Sequence, residues 1–496
     1  MDELMEQEAV KLSDATLASL PETVLRPRYD RTALTPGIVH IGVGNFHRAH
    51  QAWYLHRLMQ EGGAHDWAIL GAGVRPYDAA MREELKAQDC LTTLIELDPS
   101  GTSAEVTGPM IDYLPVDPGH ARLIDAMSDP AIRLVSLTVT EGGYYVGSDG
   151  AFSADDADIR HDAANPAEPR TAFGAIVAAL QARRSAGQTP FTPLSCDNLQ
   201  GNGAVLRQTV TSLARMIDPE LADWIEHEAA FPNSMVDCIV PATGPSEIAA
   251  AQAFGIEDAA PVTHENFRQW VIEDHFPAGR PDLDRVGVSF TSDVHPYEAM
   301  KIRILNAGHQ VLANVGEILS LSTIADCMAD PQVAAFFRKV QTEEILPHVA
   351  AVPETNPAEY LDLVERRFAN PAIRDTTRRV AFDGSSRHSG FVLPIIRDAL
   401  ATDAPIRGLM LVEALWARMC AGTREDGTVI EANDPHWADL QTCARAARQE
   451  PTLWLRQRAF YGDLCEQDQV TAYFCDHLKT VWSKGARQAL DAFLSE

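Results

Sequence analysis

A lysine, an asparagine and a histidine in one stretch of the chain have the types and spacing of a proton-transfer site. They are Lys301, Asn306 and His309, within the segment HPYEAMKIRILNAGHQVLANVGEILSL at 295–321. On a regular α-helix with about 100° per residue, Lys301 lies on the same apolar stripe as Leu305. His309 then lies about 80° and Asn306 about 140° around the helix from the lysine. The spacing predicts one helix that carries all three polar groups beside an apolar face.

The chemistry available to these three groups is the oxidation of an alcohol. An apolar environment disfavours an ammonium group, so we expect the pKa of Lys301 to fall toward neutral pH. A neutral lysine can accept a hydroxyl proton while hydride leaves the same carbon. Asn306 can donate to the oxygen as it gains negative charge, and His309 can orient the hydroxyl. The alternative is a structural lysine whose stem crosses a core and whose amine reaches water.

A second interpretation of the same segment is the Y-x-x-x-K pair of short-chain dehydrogenases, formed here by Tyr297 and Lys301. In those enzymes the tyrosine is the acid–base group. The interpretation fits poorly, because their chains are much shorter, carry the pair far earlier and begin with a differently spaced glycine turn.

A glycine turn near the N-terminus has the composition of a dinucleotide-binding loop. In IVHIGVGNFHRAH, Gly42 and Gly44 separate a predicted strand from Asn45 and a predicted helix that begins at Phe46. Glycine permits the tight turn, and the helix start offers N–H groups to a pyrophosphate. The third glycine of G-x-G-x-x-G is absent, because His47 occupies its position. A βα turn that binds no ligand is the alternative.

The predicted strand at 67–74 is followed by two residues that bear on the choice of cofactor. In GVRPYD, Asp78 is placed to bind the ribose hydroxyls of NAD, whereas Arg75 can accommodate the 2′-phosphate of NADP. The sequence favours NAD and leaves NADP open.

Four histidines near the glycine turn raise the question of a metal site. His47 and His50 have the H-x-x-H spacing of helical ligands, and His40 and His56 are close in sequence. A zinc site needs a third ligand and a supporting shell, and no cysteine or carboxylate lies at a suitable spacing. We therefore predict partly exposed helix histidines and no metal.

Charge and composition exclude several classes of protein. The 496 residues carry 41 basic and 70 acidic side chains, a net charge of −29, which disfavours nucleic acid and anionic membrane surfaces as partners. Eight scattered cysteines without a C-x-x-C pair are typical of reduced thiols. The N-terminus is acidic where a signal peptide is basic, and no apolar run approaches the roughly 18 residues of a membrane span. We expect a cytoplasmic protein.

The elements that position these residues change in character along the chain. Strands alternating with helices such as 46–62 predict parallel βαβ units. The strand-like runs are 37–44, 67–74, 131–140 and 190–198. Amphipathic helices follow, at 298–320, 332–346, 408–420 and 437–448. The prediction is an α/β domain at 1–290 and a mainly α-helical domain at 291–496.

Together these stretches resemble one known family, the polyol-specific long-chain dehydrogenases, in order along nearly the whole chain. The matching stretches are GVGNFHRAHQAWY (42–54), SLTVTEGGYY (136–145), SCDNLQGNGAVLR (195–207), FPNSMVDCIVP (231–241), HPYEAMK (295–301), LNAGH (305–309) and DGSSR (383–387). The resemblance implies a Rossmann-type N-terminal domain and a helical C-terminal domain like that of 6-phosphogluconate dehydrogenase. It also implies an active site in the cleft between them that needs no metal.

The resemblance further implies roles for individual residues. The family's K-x-x-x-x-N-x-x-H motif falls on Lys301, Asn306 and His309, with the lysine as the acid–base group. The other implied catalytic residues are Asn198, as a second oxyanion donor, and Glu298, as a proton relay. The implied substrate-binding residues are Asp237, Arg379 and Arg387. The implied cofactor-binding residues are Gly42, Gly44, Asn45, Phe46, Arg75, Asp78, Glu141 and Gly142.

Three of these roles have structural alternatives. For Asp237 and Arg379 the alternative is an ordinary ion pair, and for Asn198 it is a helix cap. The family typically has D-G-S-S-K where this chain has Arg387 followed by His388. Arginine is bulkier and offers a planar fork of donors, so the identity of the substrate is left open at this position.

The implied activity is the NAD-dependent interconversion of a linear polyol and a ketose, with D-mannitol and D-fructose as the leading pair. Arabinitol, sorbitol and a sugar acid remain open as substrates, so a sugar-acid reductase of the same fold, such as a fructuronate or tagaturonate reductase, is the alternative. A third reading is a non-catalytic nucleotide-sensing protein. Members of this family are often monomeric, so we expect a monomer.

Overall fold

The structure is a computed structural model that describes residues 9–147, 150–353 and 355–496. The chain divides into two compact units, residues 1–295 and residues 296–496. Described separately, the first is an α/β unit and the second is a helical one.

In the part of the chain that the structure describes, the β-strands lie in the first unit. They are β1 Val10–Lys11, β2 Pro36–Ile41, β3 Ala68–Ala72, β4 Thr92–Asp98, β5 Gly101–Thr107, β6 Met110–Tyr113, β7 Leu134–Leu137, β8 Thr192–Ser195, β9 Ser234–Asp237, β10 Ile256–Glu257, β11 Val262–Glu265, β12 Gln269–Glu273 and β13 Ser289–Thr291. Its α-helices are α1 Asn45–Ala49, α2 Gln51–Gln60, α3 Asp78–Lys86, α4 Ala121–Ser128, α5 Ala157–Ala164, α6 Ala172–Ser185, α7 Asn202–Ile217, α8 Pro219–Glu228 and α9 Pro245–Ala253.

The second unit is built from helices. They are α10 His295–Met300, whose first residue still belongs to the first unit, α11 Ala307–Ile318, α12 Ile324–Ala329, α13 Pro331–Val340, α14 Pro357–Phe368, α15 Thr377–Val380, α16 Gly384–Arg387, α17 Leu393–Ala401, α18 Arg407–Met419, α19 Trp437–Ala447, α20 Thr452–Leu455, α21 Arg458–Tyr461, α22 Asp468–Lys484 and α23 Ala486–Leu494. Three π-helical segments are Lys301–Asn306, Gln341–Ile345 and His388–Val392. Short 3₁₀ turns in the two units are Leu17–Ser19, Arg31–Ala33, Pro118–His120, Glu141–Tyr144, Leu283–Val286, Leu346–His348 and Leu464–Glu466.

A five-stranded parallel sheet organises the first unit, in the order β6-β3-β2-β7-β8. The central strand β2 is buried on both faces, with Val39 and Ile41 in one apolar core and Ile38 in the other. This is why its sequence is a continuous apolar run instead of an alternating one. The predicted Rossmann-type N-terminal unit and helical C-terminal unit are confirmed.

Parallel pairing gathers several predicted site residues at one edge of this sheet. The carboxyl ends of β2, β3, β7 and β8 lead into Gly42, Asp78, Gly142 and Asn198 respectively. Since parallel strands end at a common edge, these loops are neighbours although they are far apart in sequence. Asp237, in contrast, ends β9 in a separate three-stranded sheet, of order β13-β12-β9.

The helix predicted at 46–62 is interrupted. It consists of α1 and α2, separated at His50, whose φ of −118° and ψ of −87° are not helical. The side chain of His50 is fully buried, and its Nε2 lies 2.8 Å from the carbonyl oxygen of Gln269 on β12. A long-range contact therefore takes precedence over local helix propensity at this residue.

Two helices form the centre of the second unit. Every residue of α11 except His309 is buried, and every residue of α18 from Gly408 to Met419 is buried. Both helices are mostly apolar, and even polar side chains such as Gln310 and Glu413 are buried, so these helices belong to the core of the unit. Among the described residues, no helix combines the length and apolar character needed to cross a membrane.

Candidate active site

Gly42, directly after β2, is required by the fold itself. Its φ is +95°, a conformation that residues with a side chain rarely adopt. A Cβ at this position would also clash with the carbonyl oxygen of Thr138. The Thr138 hydroxyl in turn donates to the Gly42 carbonyl oxygen at 2.6 Å. The glycine turn is thus fastened to the end of the neighbouring strand β7.

Gly44 is under no such constraint from the protein. Its φ is −106°, and a Cβ there would meet only the carbonyl oxygen of Gly42, at 4.0 Å. The space beside Gly44 is open, as it must be where a backbone lies against a ligand.

Alanine at these two positions should therefore separate folding from cofactor binding. We expect Gly42→Ala to lower the melting temperature, because alanine must adopt a positive φ and displace Thr138. We expect Gly44→Ala to keep the wild-type melting temperature and to weaken NADH binding about tenfold, or about 1.4 kcal/mol. Thermal denaturation and NADH fluorescence titration of both variants measure this. Wild-type NADH affinity in Gly44→Ala would contradict the assignment.

His47, at the position of the missing third glycine, makes the close helix–strand approach that this glycine usually allows. Its imidazole stacks on that of His40 in β2, with 3.3 Å between ring centroids and 10° between planes. His40 is fixed by Ser136 Oγ at 2.8 Å and Thr138 Oγ1 at 2.9 Å. Burial lowers the pKa of His40 to about 3 and also lowers that of His47, so both rings are neutral. The stacked rings of His40 and His47 thus provide the close contact between β2 and α1 that a third glycine would otherwise allow.

The prediction of partly exposed histidines is wrong. His40, His47, His50 and His56 are all at most 1% exposed. His56 Nδ1 lies 2.8 Å from Tyr29 Oη, and its Nε2 lies 3.4 Å from a carboxylate oxygen of Glu105. In the part of the chain that the structure describes, no group of three or more His, Cys, Asp or Glu side chains is arranged to hold a metal ion.

The side chains of Asn45 and Phe46, at the start of α1, contact the protein. Asn45 Nδ2 donates to the carbonyl oxygen of Pro241 at 3.0 Å and to Thr243 Oγ1 at 2.9 Å. The Phe46 ring stacks on His50 at a centroid distance of 4.8 Å. Both contacts fix the helix that follows the glycine turn, so we predict that these two residues contact the cofactor through their backbone.

The loop after β3 gives different surroundings to Asp78 and Arg75, the two residues that left the choice between NAD and NADP open. Asp78 Oδ2 accepts the backbone N–H groups of Val74 and Arg75, both at 2.9 Å. The Arg75 guanidinium binds other protein groups, since its Nη2 donates to Tyr145 Oη at 3.3 Å and its Nη1 lies 3.7 Å from Asp158 Oδ2. A carboxylate fixed at the strand end and an engaged guanidinium favour a ribose hydroxyl over a 2′-phosphate.

The remaining predicted residues of the first unit lie at strand ends. Gly142 is exposed within the 3₁₀ turn after β7, and a Cβ there would meet no atom within 4 Å. The side chain of Glu141 lies outside the described part of the structure. Asn198 is exposed two residues beyond Cys196, after β8. Asp237 is 5% exposed and pairs in register with Gln269 of β12.

In the second unit, the predicted lysine helix is not a regular α-helix. Residues Lys301–Asn306 form a π-helical turn between α10 and α11, in which the N–H of Ala307 donates to the carbonyl oxygen of Ile302, five residues earlier. Because a π turn takes more residues than an α turn, Asn306 lies closer to the Lys301 side than the about 140° of a regular helix. The side chains of Lys301 and Asn306 are thereby brought toward the same face of the helix. The prediction of a regular α-helix did not include this.

A distant glutamine supports this π turn. Gln341 is fully buried, and its Nε2 donates to the carbonyl oxygen of Ile304 at 2.8 Å. The side chain fits because residue 308 is glycine, at which a Cβ would approach Gln341 Nε2 to 2.6 Å. Widened turns leave backbone groups that need partners from elsewhere, and Gln341 provides one.

The lysine itself is buried, as predicted. Lys301 is 7% exposed, and Glu298, three residues earlier on α10, is 4% exposed. Tyr297 is 8% exposed, and its hydroxyl donates to the carbonyl oxygen of Pro353 at 3.5 Å. A buried lysine with a buried carboxylate at i−3 is unlike the solvent-reaching lysine of the structural alternative.

Asp375 connects three of the predicted residues and was missed by the sequence reasoning. Its Oδ2 lies 3.7 Å from His309 Nε2, and its Oδ1 accepts from Arg379 Nε at 2.8 Å. Burial raises the pKa of Asp375, while the charges of Arg379 and Arg387 oppose that rise. The His309 ring also stacks on Phe368, at 4.2 Å between centroids. The i, i+4 spacing of Asp375 and Arg379 was the available signal.

Arg379 and Arg387 have different surroundings around this carboxylate. The side chain of Arg379 is 62% exposed despite its bond to Asp375, which leaves much of its guanidinium facing solvent. Arg387 Nη1 donates to the carbonyl oxygen of Val380 at 2.7 Å. The structure thus brings His309, Arg379 and Arg387 together around one buried acid.

Two family models together match most of the chain. Residues 36–285 match the mannitol dehydrogenase Rossmann domain, and residues 293–482 match the mannitol dehydrogenase C-terminal domain. The mannitol 2-dehydrogenase of Cereibacter sphaeroides is 58% identical over 476 residues, which cover 96% of this chain and 100% of that protein. The mannitol 2-dehydrogenase of Phaeosphaeria nodorum is 38% identical over 492 residues, which cover 98% of this chain and 86% of that protein.

Two solved structures match nearly the full length. Pseudomonas fluorescens mannitol 2-dehydrogenase, in a ternary complex with NAD and D-mannitol, has a TM-score of 0.86 and 38% identity, covering 98% of this chain and 100% of that chain. A D-sorbitol dehydrogenase in substrate-free form has a TM-score of 0.90 and 37% identity, covering 97% and 100%. The two names differ in the polyol, so the shared fold does not by itself select one.

Proposed function

This chain belongs to the mannitol dehydrogenase family, and we propose that it oxidises a linear polyol with Lys301 as the proton acceptor. It is an NAD-dependent oxidoreductase that interconverts a polyol and a ketose. D-Mannitol and D-fructose are the proposed pair, supported by the 58% identity to a mannitol 2-dehydrogenase. The observation that carries the role of Lys301 is its burial at the start of the π turn.

In the direction of polyol oxidation, Lys301 Nζ accepts the proton of the hydroxyl on the carbon that is oxidised. This step needs a neutral amine, and burial favours that form because an ammonium loses its hydration there. Glu298, buried three residues earlier, takes the proton from Lys301 and passes it toward solvent. In ketose reduction the same groups act in the reverse order.

Two asparagines stabilise the oxygen as it gains negative charge. Asn306, at the end of the π turn, and Asn198, after β8, each donate an amide N–H to that oxygen. Asp237, Arg379 and Arg387 bind the other hydroxyls of the chain. A polyol offers only hydroxyl groups, so a site made of amides, carboxylates and guanidinium groups suits it.

The residues of the first unit fit NAD. Gly44 and Gly142 leave open backbone where a Cβ would stand, which suits the pyrophosphate and the nicotinamide respectively. Asp78 Oδ1 is assigned to the adenosine ribose, since Oδ2 is taken by the loop. When bound, NAD supplies the hydride acceptor of the reaction.

A sugar acid is the second candidate substrate. The observation that favours it is the pair of guanidinium groups, Arg379 and Arg387, whose two positive charges face one buried acid, Asp375. Such a surplus of positive charge suits a substrate carboxylate.

A matrix of two cofactors and four substrates tests the proposed function. NAD and NADP are each combined with D-mannitol, D-arabinitol, D-sorbitol and D-mannonate, and NAD(P)H formation is followed at 340 nm. We expect the highest kcat/KM for D-mannitol with NAD. A preference for D-mannonate would establish the sugar-acid alternative, and no oxidation of any of the four would contradict both.

A further inference from the structure

Three elements at the carboxyl edge of the first unit's sheet converge on one buried carboxylate. Asp197, next to Asn198, is 8% exposed and follows β8. Its Oδ2 accepts the N–H of Val139 at 3.0 Å, and its Oδ1 accepts the N–H of Thr140 at 2.9 Å. Tyr144 Oη donates to Oδ2 at 2.7 Å. The carboxylate therefore binds both ends of the Thr140–Tyr144 segment to the end of the adjacent strand.

Hydrogen accounting fixes the direction of the bonds around Tyr144. A carboxylate only accepts, so the Tyr144 hydroxyl uses its proton on Asp197, and Ser195 Oγ donates to Tyr144 Oη at 2.5 Å. Ser195 Oγ in turn accepts the N–H of Asp197 at 3.3 Å. Burial, together with the charge of Asp197, raises the pKa of Tyr144, so the hydroxyl keeps the proton it donates. These bonds link Ser195, Tyr144 and Asp197 in a ring at the end of β8.

The segment held by this carboxylate is strained. Thr140 has φ 68° and ψ 160°, a region that is almost exclusive to glycine, and threonine is branched at Cβ. Tyr145, at the other end of the turn, is also left-handed, with φ 55°. Such conformations persist only where surrounding contacts determine them, and the bond from the Thr140 N–H to Asp197 is such a contact.

We propose that Asp197 is a positioning residue that clamps the Thr140–Tyr144 turn to the end of β8, and so sets the backbone at Gly142 and the neighbouring Asn198 together. The inference rests on the proposed function, in which Gly142 faces the cofactor and Asn198 donates to the reacting oxygen. Asp197 itself touches no reactant. It acts by holding two loops whose relative placement decides the rate of hydride transfer, and misplacement of about 1 Å costs about 100-fold in such a step.

The test compares Asp197→Asn with Asp258→Asn as a matched control. Asp258 is 2% exposed and also accepts two backbone N–H groups, from Thr93 and Ala260, and one side-chain N–H, from Gln88. It differs in that none of these three donors belongs to the loops that follow β7 and β8. Both substitutions place an amide against backbone N–H groups, so we expect both to lower the melting temperature.

Only Asp197→Asn should impair catalysis. We expect kcat for D-mannitol to fall about 10- to 100-fold, with a larger primary isotope effect for mannitol deuterated at the oxidised carbon. NADH affinity should change less than kcat. Asp258→Asn should keep the wild-type kcat and isotope effect. Wild-type values of both in Asp197→Asn, or equal losses in the two variants, would overturn the inference.

A double variant tests the role of strain at Thr140. Glycine adopts the conformation of Thr140 without a steric penalty, so the turn in Thr140→Gly depends less on the clamp. We expect Asp197→Asn to reduce kcat at least about threefold less in the Thr140→Gly background than in the wild type. An equal reduction in both backgrounds contradicts the clamp.

Two safeguards keep these outcomes separate from other failures. If Asp197→Asn does not fold, Tyr144→Phe removes one of the three donors and should lower kcat several-fold with the same rise in isotope effect; unchanged kinetics in that variant overturn the inference. The wild-type enzyme is assayed in parallel. Its inactivity on every polyol would refute the proposed function, whereas an active wild type with an unimpaired Asp197→Asn would refute the clamp alone.

Discussion

Lys301→Ala should lower kcat/KM for polyol oxidation by about three to four orders of magnitude, while the protein still folds and binds NADH. The physical reason is the loss of the amine that we propose accepts the hydroxyl proton. Lys301→Met keeps the length of the buried stem and removes the basic nitrogen, so it should lose as much activity with less effect on the melting temperature. Steady-state kinetics on D-mannitol, NADH titration and thermal denaturation of both variants provide the measurement.

Tyr297→Phe is the control that separates the two acid–base assignments on this helix. Its hydroxyl donates to the carbonyl oxygen of Pro353, so its loss should reduce kcat by less than about tenfold.

Added methylamine should restore part of the activity of Lys301→Ala, because it replaces the missing base. Turnover close to wild type in Lys301→Ala would end the proposal, and a collapse in Tyr297→Phe would favour the short-chain mechanism.

Removing the two proposed oxyanion donors should produce the next largest losses. Asn198→Ala and Asn306→Ala should each lower kcat about 100-fold, with a smaller change in KM, because the amide bond strengthens as the oxygen becomes negative. If both amides serve one oxygen, the loss in the double variant will be smaller than the product of the single losses. Pre-steady-state bursts with deuterated mannitol show whether hydride transfer has become limiting.

An exposed asparagine elsewhere in the first unit supplies the control for this experiment. Asn165 caps α5 and donates to the carbonyl oxygen of His161 at 3.0 Å. Asn165→Ala should retain the wild-type kcat. If Asn198→Ala and Asn306→Ala behaved like Asn165→Ala, neither amide would contact the reacting oxygen, and the lysine would act without them.

Local sequence pattern was sufficient for the α/β-to-helical organisation. The apolar run at 37–44 predicted the strand that the structure shows as β2, and the spacing around Leu305 correctly placed Lys301 on a buried helix face. These features depend on residues within one or two turns of each other, which is the range over which periodicity carries information.

The missed features depend on partners that are distant in sequence. The π turn needs Gln341, the burial of His40 needs Ser136 and Thr138, and the break at His50 needs Gln269. No periodicity between neighbouring residues reveals such contacts. The projection onto a regular α-helix, at about 100° per residue, therefore placed Asn306 too far from Lys301. For the same reason, histidines that lie in the core were predicted to be partly exposed.

The stacked rings of His40 and His47 also set a limit on acid tolerance. In the unfolded chain an imidazole takes up a proton near pH 6.5, whereas His40 in the folded chain does so only at about pH 3. Between these values the unfolded state binds more protons, so unfolding becomes easier as acid is added. At pH 5 His40 alone costs the folded state about 2 kcal/mol. The buried histidine pair that takes the place of a glycine contact thus makes the folded state less stable as the pH falls.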